Sequence, residues 1–218
     1  MYHHYIWLII FQFNFILFLF EYEKTYTYTP TMSRIIAFEG IDGSGKTTQI
    51  ERLRVFLELK GYNVTSIAFP DRTTPIGKLI DEVLRNSKEI PATALALLFT
   101  ANRWEHYKTI IDAEARGDFV LLDRYIHSGM AYAMASGVDG RGLSRGLPLP
   151  NVVIYLDLPP DTLRTTTKEL FETPSILTKV SQAYKKIRNS TWEVIDAKDD
   201  LDVVTKHIVT VVSNLYKL

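Results

Sequence analysis

Eight consecutive residues have the composition and spacing of a phosphate-binding loop. Residues 40–47 read GIDGSGKT and match the pattern G-x-x-x-x-G-K-[ST] at every fixed position. Glycines let successive backbone N–H groups turn inward around phosphate oxygens, and the following helix adds partial positive charge. We therefore expect Lys46 to reach the outer phosphates of a nucleoside triphosphate and Thr47 to bind Mg²⁺. A glycine-rich turn without that chemistry would not require Lys and Thr at these positions.

A carboxylate that could share the Mg²⁺ lies at the end of an apolar run. Asp123 closes the segment FVLLD (119–123), which is predicted to be a buried strand. In P-loop enzymes a carboxylate at such a position holds Mg²⁺ through water or a phosphate. An aspartate at a strand end can also cap the next helix, and that alternative stays open. The P-loop in the same chain favours the metal.

Three further segments carry aromatic and arginine side chains that could bind a second substrate. They are FPDR at 69–72, LLFTANRWE at 97–105 and DRYIHSGMAY at 123–132. Phe99 and Arg103 are four residues apart in a predicted helix, so they share a face on which a base could stack and accept hydrogen bonds. Arg72 and Arg124 follow different predicted strands and could converge on a monophosphate. Taken singly, Phe99 could be a core residue, and Arg103 or Arg72 a solvated surface charge.

Short apolar runs alternate with longer amphipathic ones from Arg34 onward, which is typical of parallel βαβ units. Strands are predicted at 35–40, 63–69, 118–123, 151–158 and 192–195. Helices are predicted at 46–60, 76–86, 92–116 and 201–216. The predicted fold class is α/β, a P-loop NTPase fold in which a parallel sheet of about five strands is flanked by helices, with a short lid. Ligands bind at the carboxyl ends of such strands, where the motifs above lie.

The FP[DE]R, LLFxANRWE and DRYxxSGxAY patterns, and the order in which they follow one another along the chain, resemble those of the thymidylate kinase family. The resemblance runs from about Arg34 to the C-terminus and weakens past Asp157. It implies Mg²⁺-dependent transfer of the ATP γ-phosphate to dTMP, giving dTDP and ADP for dTTP biosynthesis. It also implies a homodimer packed through helices.

The resemblance further implies a role for each matching residue. Phe99 would stack on thymine and Arg103 would hydrogen-bond it, while Arg72 and Arg124 would hold the dTMP phosphate. Asp42 would bind the region of the sugar 3′-hydroxyl, and Tyr132 would lie against the sugar. The implied dTMP-binding set is Asp42, Phe69, Pro70, Arg72, Phe99, Asn102, Arg103, Arg124, Ser128 and Tyr132. The ATP-binding set is Gly40, Asp42, Gly43, Ser44, Gly45, Lys46, Thr47, Thr48 and Arg164, with an adenine pocket near Asp196 and Ala197.

The lid is where the sequence departs from the family. Some thymidylate kinases have an arginine in the P-loop where this chain has Gly43, and the others supply the cation from a lid rich in Arg and Gly. The corresponding segment, 161–172, offers Arg164 and Lys168. We expect Arg164 to be the transition-state cation, with Lys46, Asp42 and Arg124 completing the catalytic set; the alternative for Arg164 is a surface helix residue.

Two other functions compete with a dTMP kinase. One is a broader deoxynucleotide or deoxynucleoside kinase, but a nucleoside kinase should carry a carboxylate base beside the 5′-hydroxyl. The paired Arg72 and Arg124 favour an acceptor that already bears phosphate. The other is a catalytically weak nucleotide-binding module, which the short lid and Gly43 would suit.

Composition limits the other function classes. The 218 residues are 46% hydrophobic and 23% charged, and the formal net charge is zero. Such a balance gives no broad positive surface for nucleic acid or an anionic membrane. Cysteine is absent from the sequence, which excludes disulfides, thiolate metal sites and cysteine nucleophiles. We expect a cytoplasmic enzyme with no nucleic-acid partner.

The first 32 residues differ from the rest of the chain. Residues 6–20 read IWLIIFQFNFILFLF, an apolar run shorter than the ~20 residues of a spanning helix. No basic residue precedes this run and no small-residue cleavage site follows it, which argues against a signal peptide. We expect translation to begin at Met32; the alternative is a membrane-associating anchor. The predicted organisation is an N-terminal extension at 1–32 and a kinase domain at 33–218.

Overall fold

Five parallel strands form one sheet in the order β2-β3-β1-β4-β5. This computed structural model describes residues 32–86, 90–162 and 173–218, all within one unit, Met32–Leu218. The strands are β1 (Ile35–Glu39), β2 (Val64–Ala68), β3 (Phe119–Asp123), β4 (Val152–Asp157) and β5 (Trp192–Asp196). In the centre of the sheet, Ile36 pairs with Leu121 on one side and with Val152 on the other. The predicted α/β fold with about five parallel strands is confirmed.

Helices cover both faces of the sheet. They are α1 (Lys46–Leu59), α2 (Pro75–Asn86), α3 (Ala92–Glu105), α4 (Tyr107–Ala115), α5 (Ile126–Ala135), α6 (Pro174–Ile187) and α7 (Leu201–Tyr216). Successive strand residues point to opposite faces, so Ile36 and Phe38 pack with α1 and α7. Ile35 and Ala37 pack with α4, α5 and α6 on the other face. Because both faces are covered, β1 is apolar at four consecutive positions and buried throughout.

The helix predicted at 92–116 is two helices. The break lies at His106, whose backbone has φ −97° and ψ 1° and whose N–H bonds to the carbonyl of Arg103 at 3.2 Å, three residues back. The His106 ring meets the ring of Phe69 edge-on at 5.4 Å, and Nε2 lies 3.0 Å from Asp71 Oδ2. The prediction of one helix was wrong because these contacts from another part of the chain, with no glycine or proline, interrupt the periodic pattern.

Some predictions concern residues outside the described part of the chain. The N-terminal extension, apart from Met32, and the lid residues Arg164 and Lys168 lie there and stay predictions. Within the described ranges, no helix combines the length and the apolar character needed to cross a membrane.

Candidate active site

The loop between β1 and α1 has a backbone path that requires glycine. Gly40 has φ +146°, and a Cβ there would lie 2.7 Å from the carbonyl oxygen of Leu156 and 2.7 Å from Ser44 Oγ. Gly45, at the N-terminus of α1, has φ +87°, which side chains rarely adopt. The loop therefore turns sharply into the helix, and the helix N-terminus faces the space enclosed by the loop.

Lys46 lies within this loop as the first residue of α1. Its Nζ donates to the carbonyl of Ile41 at 2.7 Å and more weakly to Ser44 Oγ at 3.4 Å. Burial, with a smaller effect from Arg124, lowers the pKa of Lys46 to about 7, although neighbouring carboxylates oppose the shift. An anionic phosphate beside the ammonium would stabilise the charged form, so this position suits a phosphate ligand.

The predicted metal-binding residues are adjacent. Thr47 Oγ1 donates to Asp123 Oδ2 at 2.7 Å, because β1 and β3 are neighbours and Phe38 pairs with Asp123. A hydroxyl and a carboxylate are hard oxygen donors, which fit Mg²⁺. In the part of the chain that the structure describes, no group of three or more His, Asp or Glu could hold a metal ion. Mg²⁺ usually keeps several waters and binds substrate phosphates, so two protein oxygens are a sufficient donor set.

A cavity of about 420 Å³ opens beside the P-loop. Its walls come from the segments that follow β1, β2 and β3, together with α3 and α5, which agrees with ligand binding at the carboxyl ends of strands. Nine of the ten predicted dTMP-binding residues line it: Asp42, Phe69, Pro70, Arg72, Phe99, Arg103, Arg124, Ser128 and Tyr132. We refer to this cavity as the acceptor pocket.

Charged groups at the P-loop side of the acceptor pocket form one network. Arg124 Nη2 donates to Asp42 Oδ1 at 2.6 Å and Nη1 donates to the carbonyl of Gly40 at 2.9 Å, while Tyr132 donates to Asp42 Oδ2 at 3.1 Å. Burial raises the pKa of Asp42, but the charges of Arg124 and Lys46 hold it below its ordinary value. Burial likewise opposes the charge of Arg124, yet Tyr132 and Asp42 raise its pKa. Both partners are therefore charged at neutral pH.

Arg103 places a buried guanidinium at another wall of the acceptor pocket. Nη2 donates to Thr100 Oγ1 at 3.1 Å, and Nε has no hydrogen-bond partner within the described residues. Burial lowers the pKa of Arg103 to about 10. The group lies so close to α5 that a Cβ on Gly129 would come 2.9 Å from Cζ. A cation with unused donor capacity in such a place fits a ligand with carbonyl oxygens.

Arg72 approaches the acceptor pocket from the segment after β2. It forms an ion pair with Asp81 of α2, and Asp81 Oδ1 also accepts from Arg85 Nε at 2.9 Å. Arg72 and Arg124 are far apart in the sequence. They line the same cavity because the strands that they follow, β2 and β3, are parallel neighbours.

Asn102 is the one predicted dTMP-binding residue that does not line the acceptor pocket. Its Oδ1 accepts from the Asp71 N–H at 2.8 Å, and its Nδ2 donates to Thr74 Oγ1 at 2.8 Å and to Glu105 Oε2 at 2.9 Å. Its side chain is fully buried. The amide therefore holds the segment after β2, and a contact of Asn102 with dTMP stays a prediction.

The residues predicted for adenine lie elsewhere on the sheet. Asp196 ends β5, and the N–H of Ala197 donates to the carbonyl of Asp157 at the end of β4, at 3.1 Å. In the strand order, β4 and β5 lie on one side of β1, and the strands that build the acceptor pocket lie on the other. The adenine contact itself stays a prediction.

Residues 38–208 match the family model described as thymidylate kinase. The chain belongs to the thymidylate kinase family. It is 33% identical over 190 residues to the thymidylate kinase of Dictyostelium discoideum, covering 84% of this chain and 86% of that one. It is 36% identical over 197 residues to the thymidylate kinase of Caenorhabditis elegans, covering 83% and 90%. The resemblance drawn from the motifs is thus confirmed.

A solved thymidylate kinase has the same fold. The enzyme of Candida albicans superposes with a TM-score of 0.73 at 33% identity, over 84% of this chain and 92% of that one. As a member of the thymidylate kinase family, this chain is a phosphotransferase.

Sequence reasoning missed several residues of the acceptor pocket. The apolar ones are Leu84, Ile90, Ala92, Leu95, Ala96, Ala133 and Ile176. They lie on helix faces or loop positions whose pattern does not distinguish a pocket wall from a core contact. Gly129 lies within a recognised motif, but no role was predicted for it. Glycine is unfavourable in a helix interior, so its presence there could have indicated a functional position.

Proposed function

We propose that this chain transfers the γ-phosphate of ATP to dTMP, giving dTDP and ADP, with the acceptor pocket as the dTMP site. The observation that carries the proposal is the convergence of Arg72, Arg124, Phe99 and Arg103 on one cavity beside the P-loop. A P-loop alone would indicate only a nucleoside triphosphate, and these four side chains supply the chemistry for a second nucleotide.

The phosphate of dTMP binds between Arg72 and Arg124. Guanidinium groups bind phosphate through paired N–H donors, and ion pairs with Asp42 and Asp81 hold Arg124 and Arg72 at the pocket. The acceptor oxygen of a monophosphate is already ionised near neutral pH, so the reaction needs no strong general base. Positioning and charge neutralisation supply the rate.

The base of dTMP lies against Phe99, with its carbonyl edge toward Arg103. Both side chains lie on the pocket face of α3, which supports this arrangement. Asp42 and Tyr132, joined by a hydrogen bond of 3.1 Å, face the sugar. Pro70, Phe69 and Ser128 complete the walls.

ATP binds across the P-loop, with its outer phosphates at Lys46 and the loop N–H groups. Thr47 and Asp123 would hold Mg²⁺, which would supply positive charge to neutralise the phosphates of ATP. Arg164, which lies outside the described residues, supplies a further cation from the lid. Asp196 and Ala197 border the adenine.

A broader deoxynucleoside monophosphate kinase is the second candidate. The Candida albicans relative is described as having broad substrate specificity. Part of the acceptor pocket here is lined by small side chains, those of Ala92, Ala96 and Ala133, which would leave room for other bases.

We also propose a homodimer and a cytoplasmic location. The face of α3 away from the acceptor pocket exposes Leu97 and Trp104, which are 51% and 41% accessible. The stacked ring of Tyr107, 5.1 Å from Trp104, extends this apolar surface, and a second copy would cover it. Light scattering at micromolar concentration would give twice the chain mass, and Trp104→Glu would lower it to the mass of one chain.

ADP release tests the substrate assignment. The protein is incubated with ATP, Mg²⁺ and, separately, dTMP, dUMP, ribo-TMP, dGMP or thymidine. Preference for dTMP supports the main proposal, and comparable rates with dGMP support the broader kinase. No turnover with any acceptor, despite ATP binding, would leave only a nucleotide-binding module.

A further inference from the structure

Glu39, the last residue of β1, is a buried carboxylate with four hydrogen bonds. Oε1 accepts from the backbone N–H of Tyr125 at 3.0 Å and of Ser128 at 3.2 Å. Oε2 accepts from Ser128 Oγ at 2.5 Å and from Tyr184 Oη at 3.0 Å. Glu39 is fully buried and does not line the acceptor pocket.

These bonds cap α5 from another part of the chain. The first turn of a helix leaves N–H groups without partners, and a side chain at the N-cap normally accepts from one of them. The N-cap of α5 is Tyr125, whose side chain makes no such bond. Glu39, 86 residues earlier, binds the N–H of the N-cap residue and that of the third helical residue, Ser128. Its negative charge also suits the positive end of the helix dipole.

The capped turn carries Arg124. This arginine immediately precedes Tyr125 and has φ +62°, a left-handed conformation that a non-glycine residue adopts only when its surroundings enforce it. Glu39 holds the chain on the helix side of Arg124, and the bond from Arg124 to the Gly40 carbonyl, at 2.9 Å, holds the side chain. The direction in which Arg124 enters the acceptor pocket therefore depends on the capping carboxylate.

The charge of Glu39 interacts with those of two of the three arginines that line the acceptor pocket, Arg103 and Arg124. It opposes the fall in the pKa of the buried Arg103, and the charge of Arg124 in turn lowers the pKa of Glu39. Burial works against ionisation of Glu39, but nearby His127, Ser128 and Arg124 together keep its pKa below the ordinary value. Glu39 is thus ionised at neutral pH and lies behind the pocket wall that Arg103, Arg124 and Gly129 form.

We propose that Glu39 is a positioning residue for the acceptor site, holding the first turn of α5 so that Arg124 and the pocket face of α5 meet dTMP. The inference rests on the proposed function of the acceptor pocket. It requires that loss of the carboxylate raise KM for dTMP and leave KM for ATP unchanged, although Glu39 directly precedes the P-loop.

The test is steady-state kinetics of Glu39→Gln with dTMP and ATP varied separately. The amide oxygen can still accept from both N–H groups, and the two hydroxyls can turn to accept from the amide NH₂, so the variant keeps its partners while losing the charge. We expect KM for dTMP to rise about tenfold, as for loss of a charge-assisted hydrogen bond, with KM for ATP unchanged. Tyr184→Phe, which removes one donor outside the pocket, should raise KM for dTMP by about two- to threefold.

Asp118→Asn is the matched control. Asp118 is another buried carboxylate, bonded to Arg116 at 2.8 Å, but it precedes β3 at the opposite end of the sheet. It should lower thermal stability without changing either KM. An unchanged KM for dTMP in Glu39→Gln, or equal rises for dTMP and ATP, would overturn the proposal; if Glu39→Gln does not fold, an unchanged KM in Tyr184→Phe would do so. Absence of dTMP turnover in the unmodified protein would instead refute the proposed function.

Discussion

Arg124 donates a hydrogen bond of 2.6 Å to Asp42, so the turn between β3 and α5 is tied directly to the P-loop. Asp42 also accepts from Tyr132, which brings three segments of the chain to one carboxylate. The P-loop and the wall of the acceptor pocket, which are the proposed sites of ATP and dTMP, therefore share a group. Phosphoryl transfer depends on the alignment of the two substrates, and this contact fixes their sites relative to each other.

Asp42→Asn tests that link. Asparagine has a single side-chain oxygen, so it accepts only one of the two hydrogen bonds. Arg124 also loses its charged partner, and its guanidinium is therefore held less firmly. We expect kcat/KM for dTMP to fall about 10- to 100-fold, equivalent to one or two charge-assisted hydrogen bonds. Asp139→Asn, which breaks an exposed pair with Arg141, should leave the kinetics unchanged. Equal activities of the two variants would contradict the role of Asp42.

Arg103→Lys tests the recognition of the base. Lysine keeps the charge but loses the planar fork of donors, so it cannot replace the paired contact with a carbonyl edge. We expect kcat/KM for dTMP to fall on the order of 10²-fold while KM for ATP stays constant. Arg116→Lys alters an ion pair away from the acceptor pocket and serves as the control. A fall in ATP affinity of similar size would show that the change is not confined to the acceptor site.

Asp123→Asn tests the metal site. Replacing one of two hard oxygen donors by a neutral amide weakens Mg²⁺ binding, so the Mg²⁺ concentration for half-maximal rate should rise about tenfold or more. The measurement is a Mg²⁺ titration at saturating dTMP and a fixed ATP concentration. Asp112→Asn, which removes an exposed partner of Lys108, should give the same titration curve as the unmodified protein. An unshifted curve for Asp123→Asn would limit the role of this residue to its hydrogen bond with Thr47.

Asn102→Ala tests whether Asn102 supports the segment after β2 or contacts the substrate. The change leaves the Asp71 N–H, among other partly buried groups, without its partner. The free energy of unfolding should fall by ~2–3 kcal/mol, measured by urea denaturation. KM for dTMP should change by less than about fivefold, because only the position of Arg72 is affected indirectly. A large loss of dTMP affinity with unchanged stability would instead show that Asn102 contacts the substrate.

The sequence identified the sheet and most of the pocket for a simple physical reason. A parallel strand covered on both faces is a continuous apolar run, and β1, β3 and β4 were found that way, whereas β2 and β5 contain polar residues within the strand. Each motif follows a predicted strand or lies on the helix predicted at 92–116. The resemblance to thymidylate kinases then assigned residues as distant as Phe69 and Tyr132 to one site, and both line the acceptor pocket.

The features that escaped prediction depend on distant partners. α5 was not predicted, and its cap comes from a distant residue, Glu39 on β1, instead of from the N-cap residue Tyr125. The break at His106 has no local signal, since it depends on contacts with Phe69 and Asp71. Asn102 lies within a family pattern, but the pattern alone did not distinguish an amide that holds a loop from one that faces a ligand.

Identification of the reaction product tests the central claim most directly. The protein is incubated with ATP, Mg²⁺ and dTMP, and the nucleotides are separated and quantified over time. The proposed mechanism predicts dTDP and ADP in equal amounts, with no dTMP formed when thymidine replaces dTMP as the acceptor. ATP consumption without dTDP, or ATP binding without any transfer, would contradict it.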